Sequence, residues 1–152
     1  MVAARQFCTF YLDKLLFGVD LEGVQEVVRA LDVTPIPLAP KVVRGIINLR
    51  GQIVTAIDLR GQLELEPRQA EEPPMNVVVR GEDGAVSLLV DHIGDVIEAE
   101  ESSFERPPET LSPNVRSMIA GIHKLDGRLL HVLDIAKVCR MGEGAEAGIT
   151  RA

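Results

Sequence analysis

The apolar positions of this chain fall in short runs broken by Gly, Pro and charged residues, a spacing that suits strands better than long helices. Runs over 6–12, 16–21, 43–48, 52–57, 76–80, 85–90, 95–99, 118–124 and 128–133 all read as extended. Arg50-Gly51 and Asp126-Gly127 mark hairpin turns, because glycine accepts the positive φ that such turns require. Asp58 and Asp134 each follow a strand and precede a short helix-like stretch. An Asp oxygen at that point can cap the free N–H groups of a helix start. The segment 135–141 reads as one such helix.

This pattern occurs twice. The segment 43–63 aligns with 119–139 at a constant offset of 76 residues, Gly45 falling on Gly121. Gly45, Ile46, Leu49, Gly51 and Asp58 meet Gly121, Ile122, Leu125, Gly127 and Asp134. Ile53, Ile57 and Leu59 meet Leu129, Leu133 and Ile135, so the apolar positions match as well. A fainter echo upstream sets Val19, Leu21, Val24 and Val27 on Leu88, Val90, Ile93 and Val96 at an offset of 69, with Glu26 on Asp95. Each half therefore reads as strand, connecting segment, proline-marked loop and glycine hairpin. The change of offset places a longer loop in the second half, around Pro107, Pro108 and Pro113.

Many short strands with closely spaced turn signals favour small barrels over a parallel sheet. The expected fold is all-β, with two related barrel lobes in one compact unit and short helices. Residues 64–74 form a polar, proline-bearing connection between the lobes, and 142–152 a frayed, flexible tail.

Composition changes this picture in three ways. The chain has 152 residues, 46% of them hydrophobic but only 3% aromatic, and no Trp, so its core must rest on Val, Ile and Leu. A formal net charge of −7 without a basic run argues against nucleic acid and against an anionic membrane surface. The acidic runs at 64–72 and 98–105 read as solvated loops. Cys8 and Cys139 show neither metal spacing nor a redox pair, and read as buried thiols of a cytoplasmic protein. No stretch approaches the roughly 20 apolar residues that a membrane helix needs.

The search for chemistry finds no phosphate loop, nucleophile elbow or zinc-protease motif. His92, His123 and His131 follow no ligand spacing, so no metal or cofactor is expected. Asp58 and Asp134 recur at the same place in both halves, which favours a structural role over acid–base work. Gly45, Gly51, Gly121 and Gly127 read as structural for the same reason. The differences between the copies carry more information. Asn48-Leu49-Arg50-Gly51 is answered by Lys124-Leu125-Asp126-Gly127. A turn does not require Arg50, whose fork of donors suits a carboxylate, and Glu26 is the candidate partner. Val24, Val27, Val28 and Leu31 form a second candidate surface, mostly core but with one or two positions open to a groove.

The run 17–28 (FGVDLEGVQEVV), the loop Thr34-Pro35-Ile36-Pro37, the block 43–54 (VRGIINLRGQIV) and Ile57-Asp58-Leu59-Arg60 together resemble the CheW family. These are adaptors that couple bacterial chemoreceptors to the histidine kinase CheA. The resemblance spans about residues 6 to 141 and is most specific at Asn48-Leu49-Arg50-Gly51. It implies two five-stranded, SH3-like barrel lobes around a shared core, roughly 16–79 and 80–141, with the strand 6–12 packing on the later lobe. It further implies a non-catalytic adaptor, recruited to membrane receptor arrays. Such an adaptor docks the cytoplasmic tip of a receptor and contacts the regulatory domain of CheA. The family's Glu and Arg fall on Glu26 and Arg50, and Val24 and Gln25 inherit a place at the binding surface. Thr55 departs from a frequent Pro, and Lys124 with Asp126 gives the second hairpin its own charges. The alternatives are a scaffold of a non-flagellar chemosensory pathway, and an enzyme whose site is assembled from scattered His and Asp residues.

Overall fold

The structure is a computed structural model and describes residues 4–29, 31–67 and 72–139. Eleven strands form two sheets. The first two are β1 (Ala4–Leu12) and β2 (Leu15–Asp20). Next come β3 (Val24–Val28), β4 (Val43–Leu49) and β5 (Gln52–Asp58). The second half contributes β6 (Met75–Gly81), β7 (Gly84–Val90) and β8 (His92–Glu100). It ends with β9 (Phe104–Glu105), β10 (Ile119–Leu125) and β11 (Arg128–Leu133). One sheet runs β8-β1-β2-β11-β10-β9 and the other β3-β6-β7-β5-β4.

The repeat read from sequence is also a repeat of pairing. In β4–β5, Gly45 faces Ala56 and Leu49 faces Gln52; in β10–β11, Gly121 faces Val132 and Leu125 faces Arg128. Both hairpins break register just before the glycine. Thr55 pairs in parallel with Val86, as its counterpart His131 pairs with Phe17. Val27 lies opposite Val77, as Val96 lies opposite Cys8. Each half therefore places strands in both sheets: β1 and β2 join strands of the second half, while β6 and β7 join those of the first.

The two sheets do not follow the sequence order of the halves. β2 belongs with β1 in the six-stranded sheet, and β7 stays beside β6 and β5 in the other, so the five-stranded sheet occupies 24–90. The sixth strand is β9, two residues that pair with Ile122 and His123 where the acidic run predicts loop. β3 forms where the sequence pattern predicts a connecting segment, and its irregular burial explains the lack of alternation. The acidic run 98–105 is not a loop at its start: Glu98 and Glu100 project from β8 with exposed side chains. The tail 142–152 lies outside the described residues.

Three apolar clusters follow from the strand faces. Phe10, Leu12, Phe17 and Val19 of one sheet meet Ile57, Val77, Val79 and Leu88 of the other in a shared core. Ile47, Leu49, Val54, Ala56 and Val78 form a second cluster on the five-stranded sheet. Phe7, Leu16, Ala99, Leu130 and Val132 form its counterpart on the six-stranded sheet. Short helices close the ends. In α1 (Leu59–Gln62), Gln62 donates to the Val138 carbonyl at 2.9 Å, joining it to the helix α3 at 135–139. In α2 (Pro113–Met118), Ser112 caps the start and Pro113 takes the first turn, where a missing N–H does no harm.

Candidate functional site

β3 and the β4–β5 hairpin stand at opposite ends of the five-stranded order, yet two side-chain contacts join them. Arg50 Nη2, at the tip of the β4–β5 hairpin, donates to Glu26 Oε2 on β3. Beside it Gln25 Nε2 donates to Gln52 Oε1 at 3.0 Å. The sheet thus curls until its ends meet at Gln25, Glu26, Arg50 and Gln52. The turn itself is tight: Arg50 has φ 52° and Gly51 φ 87°, and Asn48 Oδ1 accepts from the Gly51 N–H at 2.8 Å. A left-handed Arg is disfavoured by about 1–2 kcal/mol. Its guanidinium side chain is 74% exposed, while the Glu26 side chain is only 22% exposed. The half-buried carboxylate thus holds a cation that is open to solvent. Val27 and Ile53, at 39% and 61% exposure, add apolar surface on the same two elements. Val24 instead packs against the shared core and is half-buried.

The second sheet lacks this closure. Asp95 and Asp126 occupy the places of Glu26 and Arg50, both exposed and both acidic. Arg128 Nη1 reaches the Tyr11 hydroxyl at 2.7 Å instead, and Lys124 pairs with Glu105 at 3.3 Å.

The two repeated aspartates diverge. Asp134 Oδ1 accepts from the Lys137 N–H at 3.1 Å and caps α3. Asp58 precedes α1 but its side chain makes no cap bond; it turns to Arg44 Nη2 at 3.1 Å. A single-turn helix offers few free N–H groups, and a guanidinium across the sheet is the stronger donor. A Cβ on Gly45 would lie 2.1 Å from the Thr34 carbonyl oxygen, and one on Gly121 would lie 2.2 Å from the Phe104 ring.

Sequence reasoning missed a buried charge cluster. Arg60 is buried, with Nε 3.0 Å from Asp91 Oδ1, Nη2 2.6 Å from Asp13 Oδ1, and Nη1 2.8 Å from the Glu66 carbonyl. The Asp91 hydrogen bonds, with those of Asp13, raise its already high pKa and keep it charged against the opposing pull of burial. The Arg60 and Asp91 side chains join Arg44 and Asp58 along a cleft of about 440 Å³. Every Arg60 donor nitrogen is engaged, so the cluster binds the α1 end of the first half to β7 and to the β1–β2 turn rather than offering a reactive group.

The molecule is thus a curled two-sheet unit of duplicated strand pairing, one sheet of which is closed by the Glu26–Arg50 pair. Comparison with known proteins gives the family. The CheW-like domain matches residues 6–143, and the chain belongs to the CheW family. It is 34% identical over 137 residues to the chemotaxis protein CheW of Treponema pallidum, covering 88% of this chain and 81% of that one. The CheW proteins of Thermotoga maritima and Bacillus subtilis are each 29% identical over 130 residues, covering 86% of this chain and 84% and 83% of theirs. The crystal structure of the scaffolding protein TtCheW from Thermoanaerobacter tengcongensis superposes with a TM-score of 0.81 at 29% identity, covering 91% of this chain and 89% of that one. Among the described residues no helix is long and apolar enough to cross a membrane.

Proposed function

We propose that this chain is a non-catalytic adaptor that couples the cytoplasmic tip of a chemoreceptor to a CheA-type histidine kinase, and is recruited to receptor arrays at the membrane. The observation that carries the reading is the Glu26–Arg50 closure: it fixes an exposed cation, beside Gln25, Val27 and Ile53, on the sheet that the family signature builds. Membership of the CheW family, whose similar proteins include chemotaxis CheW proteins and the scaffolding protein TtCheW, supports the same role. Val24 acts from beneath, setting the position of β3 against the core, while Gln25, Glu26 and Arg50 face the partner.

The test is co-sedimentation of the purified chain with a receptor signalling fragment and CheA. A complex containing all three is expected at micromolar concentrations. Absence of binding to either partner overturns the adaptor reading.

A further inference from the structure

A cavity of about 340 Å³ opens on the six-stranded sheet, lined by Phe7, Ala99, Phe104, Ala120, His123 and Val132, with Arg5 and Glu101 beside them. His123 is 3% exposed. Its Nδ1 lies 2.7 Å from Ser103 Oγ, and that oxygen lies 2.9 Å from the Glu100 carbonyl. A carbonyl only accepts, so the Ser103 hydroxyl proton points to Glu100 and Nδ1–H must donate to Ser103. This relay fixes the tautomer and leaves a lone pair on Nε2, which has no hydrogen-bond partner among the described residues. Burial lowers the pKa of the imidazole, which keeps that lone pair free at neutral pH.

The duplicated fold shows that a histidine is not needed here. The counterpart of His123 at the 76-residue offset is Ile47, which fills the equivalent cluster without any polar atom to satisfy. Around His123 the packing is aromatic instead: the Phe7 and Phe104 rings have centroids 5.4 and 5.0 Å from the imidazole. Gly121 permits this, since any Cβ there would collide with Phe104. Phe104 itself is held by a strand of only two residues and is partly exposed. Charge nearby disfavours an anion. Arg5 already faces Glu101 at 3.4 Å and Asp20 at 4.0 Å, and Glu98, Glu100 and Glu105 add exposed carboxylates.

We propose that this cavity binds a small neutral aromatic molecule bearing one O–H or N–H donor, its ring against Phe7 and Phe104 and its donor on His123 Nε2. The volume falls at the lower end of the range of small-molecule sites, which run from about 300 to 1,000 Å³. An apolar lining with one placed polar group supplies both affinity and orientation.

The experiment titrates the isotope-labelled full chain with phenol, and with toluene as the donor-free control, followed by NMR of the backbone amides and histidine ring nitrogens. Saturable shifts confined to the cavity-lining residues of β1, β8, β9, β10 and β11 and to His123 Nε2 are expected with phenol, with toluene binding at least about tenfold more weakly. His123→Ile, patterned on Ile47, should cost phenol at least about tenfold while leaving toluene unchanged. Ala120→Leu, at an exposed position on the cavity wall, should block both and guards against a His123 variant that does not fold. Equal affinity for phenol and toluene, shifts scattered over the surface, no saturable shift, or full phenol binding by folded His123→Ile would each overturn the proposal.

Discussion

A guanidinium buried against two carboxylates holds a structure together only while every partner remains. Replacing Arg60 by Ala would remove the guanidinium counter-charge of the buried Asp91 carboxylate and release Asp13 at the surface. Breaking a buried pair in this way destabilises by about 3–5 kcal/mol, and urea denaturation of Arg60→Ala should show a loss of that size. His123 makes a pH prediction. Burial holds its folded pKa below the ordinary imidazole value of 6.5, so on acidification the unfolded chain takes the proton first. The stability contributed by burying the neutral ring is present above about pH 6.5 and is lost as pH falls from there toward the folded pKa. The unfolding midpoint should fall less steeply across that window in His123→Ile than in the parent chain. Neither residue's role was legible in the sequence. Arg60 stood out only as the end of an Ile-Asp-Leu-Arg block, because Asp13 and Asp91 lie 47 and 31 residues away. His123 looked isolated because its partner, Ser103, arrives from a single 3-10 turn just before the two-residue β9, neither of which carries a pattern.

Hairpins were the most readable elements, because glycine and apolar spacing both announce them. The β4–β5 and β10–β11 turns fall where Arg50-Gly51 and Asp126-Gly127 predicted, with Gly51 at φ 87° and Gly127 at φ 76°. The expectation for Gly45 is sharper than for the turn glycines. Its φ of 149° and the Thr34 carbonyl at 2.1 Å leave no room for a methyl group. Gly45→Ala should destabilise by roughly 2 kcal/mol or more by thermal or urea unfolding, whereas Gly84→Ala, with open space around it, meets only the backbone strain of its positive φ. Ion pairing at the closure works differently. Exposed pairs contribute about 0–1 kcal/mol, so Arg50→Glu should barely move the unfolding midpoint even where it disrupts partner binding. The helix α2 was missed although Ser112-Pro113 is a readable start signal. Its neighbours Pro107 and Pro108 outweighed that signal and made the whole segment read as loop.

The exchange of strands between halves makes the two sheets one folding unit. The shared core takes Phe10 and Val19 from one sheet and Val77 and Leu88 from the other, so neither sheet can bury its inner face alone. Although 24–90 supplies all five strands of its sheet, the isolated segment should fail to give a cooperative transition. For the full chain, far-UV dichroism and the fluorescence of the single tyrosine, Tyr11 on β1, should report one coincident unfolding curve. Sequence comparison of the halves exposed the duplication, and the offsets of 76 and 69 recur in the strand pairing itself. It could not reveal which strands change partners, because equivalent strands carry equivalent patterns and fit either sheet.

What separates a scaffold of this shape from a working coupler is whether the Glu26–Arg50 closure transmits between receptor and kinase. The direct measurement is CheA autophosphorylation in reconstituted receptor complexes containing the parent chain, Arg50→Glu, Glu26→Arg or both. Kinase activation by the parent chain, its loss of at least about tenfold in each single variant, and partial recovery in the double variant are the predicted results. Strictly additive losses, or full activation by Arg50→Glu, would contradict the account.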